Sequence, residues 1–156
     1  MDPKVVHSTF VVERSFPQPP EAVFTAFSDP AKARRWYAEG DGHKLEEFTS
    51  DFRVGGTQIQ RYSLPEGTPV AGMTIRNEGR FQEIVPNQRI VTASTMDLEA
   101  KRIVASQVTI ELLANGSGTD LILTHQGAFF EGGLTPAMLE AGWRGLMQKL
   151  AAELDA

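Results

Sequence analysis

The chain has 156 residues, 41% of them hydrophobic, a size and composition that suit one compact domain, residues 1–156, with a real core. Fifteen Lys and Arg against twenty Asp and Glu leave a net charge of −5, and no basic run stands out, so phosphate backbones, and with them nucleic acid, are disfavoured as partners. Cysteine is absent, which removes disulfides, thiol nucleophiles and most zinc sites and fits a reducing compartment.

The N-terminal MDPKVVHSTF carries no apolar signal segment, and no stretch approaches the roughly 20 apolar residues of a membrane helix, so a cytoplasmic protein without membrane insertion is expected. HSTFVVERSF, residues 7–16, alternates and is rich in β-formers, and PQPP ends it. In EAVFTAF, Val23 and Phe27 stand four apart on one helical face. Asp29 followed by Pro30 reads as an N-cap with proline at the first helical position, predicting a second short helix toward Trp36 and Tyr37. From Lys44 the texture changes to strands near 45–52, 57–64, 71–84, 89–97, 104–114 and 118–126, separated by turn signals. Asn115-Gly116 between VTIELL and TDLILTH is the strongest hairpin signal.

A loop containing FFEGGL leads to the last helix, which Thr135 caps and Pro136 opens. Leu139, Trp143, Leu146, Leu150 and Leu154 form an apolar stripe with Met147 at its edge. Two glycines interrupt this helix: Gly142 flanks the stripe beside Trp143 and reads as clearance for a loop, the sheet or a ligand, while Gly145 lies on the far side. The order strand, two short helices, a run of antiparallel strands and one long helix predicts an α+β fold with helices on one sheet face. A helix over 136–154 is roughly 28 Å long, enough to lie across six strands. Because the sheet twists and the helix is straight, a gap is expected between them.

FVVERSFPQPPEAVFTAFSDPAKARRWY, DFRVGG, EGRFQEIVPNQRIVTAS, GTDLILTHQGAF and AGWRGLMQKLAAEL occur in the order, and with nearly the residues, of a known family. Over residues 8–154 the chain resembles proteins related to the C-terminal domain of the activator of the heat-shock protein 90 ATPase. These belong to the START and pollen-allergen helix-grip superfamily, which includes polyketide cyclases. The resemblance implies a helix-grip fold: a curved antiparallel sheet of six or seven strands, two short helices, and a long C-terminal helix over an internal cavity for an apolar or amphipathic small molecule. The eukaryotic activator uses a further N-terminal domain for chaperone binding, for which this chain has no room, so a chaperone partner is a weaker expectation.

If the family's strand phase holds, Gln58, Gln60 and Tyr62 point inward where the family usually has apolar side chains, and they would need hydrogen-bond partners from a ligand or water. The opposite phase would instead turn Ile59 to the core and the glutamines to solvent. His125, in phase with Leu121 and Leu123, matches the family's Thr-His-x-Gly position. A lone inward histidine serves as a structural residue, a ligand contact, or an acid or base. Trp36, Tyr37, Met73, Phe81, Phe129, Phe130, Met138, Gly142 and Trp143 complete the candidate ligand-binding residues. No histidine pair has metal-ligand spacing, no Gly-x-Ser-x-Gly elbow occurs, and neither glycine-rich turn opens a helix as a phosphate loop does, so no metal or cofactor is expected.

Three functions follow as expectations: a non-enzymatic domain binding an apolar or amphipathic, lipid-like or aromatic molecule; a cyclase-like or aromatase-like enzyme using His125; and a module that meets a chaperone through its surface. The sequence carries no signal for an oligomeric state.

Overall fold

A computed structural model describes residues 1–40, 42–67 and 69–156. Strand β1 spans Val5–Phe16, and its inward residues Phe10, Val12 and Phe16 are buried. Proline opens both short helices, α1 (Pro20–Ser28) and α2 (Pro30–Ala33). The Asp29 carboxylate accepts from the backbone N–H groups of Ala31 and Lys32, the predicted cap. Helix α2 then loosens into a π-helical turn, Arg34–Ala38. Strands β2 (Lys44–Ser50), β3 (Thr57–Ser63), β4 (Thr74–Val85), β5 (Arg89–Leu98), β6 (Lys101–Asn115) and β7 (Gly118–Phe130) follow, and then helix α3 (Pro136–Asp155).

All seven strands form one antiparallel sheet in the order β1-β7-β6-β5-β4-β3-β2. Consecutive strands from β2 to β7 are neighbours, and β1 pairs with β7 along its whole length. That pairing carries β7 four residues past the predicted end, because Val5 and Val6 give Phe130 and Phe129 a partner strand. The β6–β7 hairpin forms where expected, but Asn115 pairs with Gly118, so Gly116 and Ser117 are the turn. Gly116, at φ +61°, supplies the left-handed first position of such a two-residue connection.

Thr135 accepts from the Met138 N–H at 3.2 Å and sets the start of α3. The helix packs chiefly against the π turn, β1 and α1. Its apolar stripe is therefore divided. Met147 and Leu150, in the C-terminal half, are fully buried, whereas Leu139, Trp143 and Leu146 toward the N-terminal half are only partly covered. Burial of a side chain such as Leu150 stabilises by about 2 kcal/mol, so the C-terminal half anchors the helix.

The inner face of the sheet reads as cross-strand rows set by the register. One row is large and apolar: Ile84, Ile90, Ile110, Leu123 and Val12. The next holds Phe81, Thr92, Val108, His125 and Phe10. The third consists of Gln58, Gly79, Ser94, Ser106 and Gly127. Beyond it come Gln60, Asn77, Met96, Val104 and Phe129. A row of glycines and serines between rows of bulkier side chains leaves a trough in the sheet. The large rows support the helix above it.

Candidate functional site

A cavity of about 310 Å³ lies between this trough and α3. Small-molecule sites range from about 300 to 1,000 Å³. The floor includes Gln58, Gly79, Ser94 and Ser106; Phe81, Thr92, Ile90 and Val108 bound one side, and Gln60, Asn77, Met96 and Val104 the other. Leu139, Trp143 and Leu146 of α3 form the roof, and Met138 and Gly142, both exposed, stand at the rim.

The π turn contributes two rings with different duties. Trp36 is buried, donates its indole N–H to the Ala26 carbonyl at 2.9 Å, and meets Phe27 and Tyr37 edge-on. Tyr37 lies beside Trp143 with ring centroids 6.0 Å apart. Burial first, and then the neighbouring Tyr62, raise the pKa of the Tyr37 hydroxyl and keep it protonated. Both aromatic rings line the cavity.

Gln58, Gln60 and Tyr62 face the cavity, and Ile59 alternates to the other side of the sheet. Gln60 is buried, yet it needs no ligand. Its amide nitrogen donates to the Tyr37 carbonyl at 3.4 Å, and its oxygen accepts from Asn77 Nδ2 at 3.1 Å. The side chain thus ties the π turn to β4. Gln58 accepts from the Ser50 hydroxyl at 3.1 Å. Tyr62 stacks on His43, which also lines the cavity, with centroids 4.2 Å apart.

His125 is 1% exposed and stacks flat on Phe10, with centroids 4.7 Å apart and planes 5° from parallel. Gly127 makes this possible: a Cβ there would stand 2.7 Å from His125 Cε1 and 3.1 Å from a ring carbon of Phe129. The Nδ1 side of the ring therefore overhangs Gly127, the register partner of Ser106. Burial pushes the imidazole pKa down to about 4, opposed in part by the ring's own backbone. Among the described residues, none gives Nδ1 a hydrogen bond.

Ten of the thirteen candidate ligand-binding residues meet at this cavity; Met73, Phe129 and Phe130 do not. Met73 belongs to the β3–β4 connection, where its N–H bonds to Val70 and its carbonyl to Leu64, and β4 begins only at Thr74. Phe129 packs with Ile75, Ile103 and Val104 in a second apolar cluster, and Phe130, the further aromatic candidate, is also outside the lining. Gly142 is corrected in one respect. A Cβ there would meet nothing within 4 Å beyond its chain neighbours and the helix's own backbone, so neither loop nor sheet among the described residues requires the clearance, and the open rim adjoins it. Ser94, Ser106, Thr92 and Asn77 were missed by sequence reasoning because serine, threonine and asparagine in a strand read as solvent-facing.

Among the described residues no cluster of three or more His, Asp or Glu is arranged to hold a metal ion, and no helix is long and apolar enough to cross a membrane.

A curved antiparallel sheet gripping a long C-terminal helix defines the helix-grip class. The chain belongs to the family described as Activator of Hsp90 ATPase homolog 1-like protein, whose model matches residues 17–155. Among solved structures it is similar to protein Mll3558 from Rhizobium loti, with 46% identity, a TM-score of 0.85, and coverage of 96% of this chain and 98% of that one. A protein from Rhizobium leguminosarum is 30% identical, with a TM-score of 0.89 and coverage of 97% and 96%. DynU16, a protein of the dynemicin biosynthetic locus, shares the fold at 18% identity and a TM-score of 0.67, with 95% of this chain matching 47% of that chain. Comparison with curated proteins finds no significant match.

Proposed function

We propose that this chain is a non-enzymatic binding domain that holds a small apolar or amphipathic molecule between its sheet and α3. The observation that carries this reading is the small-residue row Gly79, Ser94, Ser106 and Gly127, which leaves room beneath a helix anchored by its other half. Aromatic and aliphatic side chains enclose most of that room, so burial supplies the affinity, and a few hydroxyl and amide groups supply orientation.

A cyclase-like enzyme is the second reading, drawing on His125 Nδ1, which has no hydrogen-bond partner among the described residues. Its weakness is chemical. With a pKa of about 4, only roughly one His125 in a thousand carries a proton at pH 7, so it is a poor general acid, and a base of that strength is feeble. A chaperone partner would act on the surface and leaves the cavity unused.

The test is native mass spectrometry of freshly purified protein, followed by titration with fatty acids, flavonoids and polyketide-like aromatics. Tryptophan fluorescence reports directly, since Trp36 and Trp143 both line the cavity. At least one class should bind with a saturable signal and raise the melting temperature, and His125→Gln should alter affinity only. Absence of any bound or titratable molecule, or binding to heat-shock protein 90 alone, would overturn the proposal.

A further inference from the structure

We infer that the cavity selects a neutral molecule whose polar end is a hydroxyl or carbonyl group, and discriminates against the carboxylate or phosphate of the same skeleton. This rests on the binding reading above and names the ligand class it implies. Among the described residues lining the cavity there is no Lys or Arg; the one carboxylate residue is Glu78, the register partner of Ile59 on the other face, which pairs with Arg76 at 3.5 Å, and His43 lies stacked on Tyr62. His125, which is almost fully buried, stays uncharged at neutral pH. The whole chain carries a net charge of −5. An anion entering this space would lose its hydration and find no lysine or arginine among the described lining residues, which is costly in an apolar enclosure.

A hydroxyl or carbonyl asks for much less. The hydroxyls of Thr92, Ser94 and Ser106 line the trough and make no hydrogen bond to another group of the described residues, while Gln60 is already committed to Tyr37 and Asn77. These three hydroxyls can each donate or accept, so together they can meet one neutral polar group without displacing a structural bond. They sit on neighbouring strands, with Ser94 and Ser106 directly paired in register. The polar end of the ligand therefore belongs at the trough, and its apolar body under Leu139, Trp143 and Leu146.

The experiment uses matched pairs at about pH 8, where an ordinary imidazole is neutral: 2-naphthol against 2-naphthoate, 1-decanol against decanoate, and 4-phenylphenol against 4-phenylbenzoate. Affinities come from tryptophan fluorescence and are checked by calorimetry. The neutral member should bind at least tenfold tighter in each pair that binds. Met138→Lys, at an exposed rim position whose replacement spares the core, should narrow that ratio at least threefold by tightening the acid. An acid that binds as well as its neutral partner, or a ratio unmoved by the new cation, overturns the inference while leaving the binding reading intact. If neither member of any pair binds and no ligand of another class does, the binding reading falls and takes this inference with it.

Discussion

His125 owes its position to a glycine two residues further along the same strand. Only hydrogen at Gly127 lets the imidazole lie flat against Phe10 with its Nδ1 side over the trough. The Thr-His-x-Gly pattern is legible in the sequence, and so is the inward phase with Leu121 and Leu123; the stacking partner is not, because Phe10 lies 115 positions away in the chain and reaches His125 only through the β1–β7 pairing. Burial without a countercharge makes this residue sensitive to acid. Its folded-state pKa is about 4 against an ordinary 6.5, so the unfolded chain binds the proton more readily between those values. The stabilisation is complete above about pH 6.5 and is lost progressively as pH falls toward 4. After a discount for the solvent reaching the cavity, about 2 kcal/mol should disappear over that window. Urea unfolding of the wild type and of His125→Gln at pH 7.5 and pH 4.5 checks this: the variant should lose less stability on acidification. Equal losses would show that the histidine is not the group responsible.

Helix α3 shows how one element combines two tasks. Its caps and apolar stripe follow from local sequence, since Thr135 and Pro136 act within one turn and the stripe follows the 3.6-residue period. The unequal burial along the stripe does not, because it depends on which strands lie below each turn. The two glycines become intelligible at this scale. Beyond its chain neighbours and the helix's own backbone, neither Gly142 nor Gly145 has an atom within 4 Å of an added Cβ. Alanine at either position should therefore raise stability, by up to about 1 kcal/mol, through helix propensity alone. Gly142→Leu should also leave the fold intact but project over the rim beside Trp143 and weaken ligand binding, whereas Gly145→Leu, away from the cavity lining, should not. Thermal denaturation with a parallel fluorescence titration distinguishes the two; equal affinities for both leucine variants would remove Gly142 from the site. The π turn was legible only as a short helix ending near Tyr37. Its widened geometry brings the Tyr37 carbonyl to the Gln60 amide, a bond between distant segments that no local propensity encodes.

At the scale of the molecule, the cavity is a consequence of register. Gly79, Ser94, Ser106 and Gly127 are unremarkable in their own strands, and only three successive pairings place them side by side. Filling the trough should separate binding from folding. Ser106→Leu inserts an apolar side chain into existing space, so stability should stay within about 1 kcal/mol of wild type while ligand affinity drops at least tenfold. A variant that folds and still binds normally would move the ligand away from the trough. By itself the sequence determined the order of elements, the helix caps, the β6–β7 hairpin and the α+β class, because these rest on periodicity, turn chemistry and short-range hydrogen bonds. Only the tertiary structure decided that Gln58, Gln60 and Tyr62 face inward, that Gln60 is satisfied by the protein itself, and that Met73 and Phe129 stand apart from the cavity. The reason is physical: a strand with polar residues on both faces has no local preference for either, and long-range pairing together with the helix packed above selects the face.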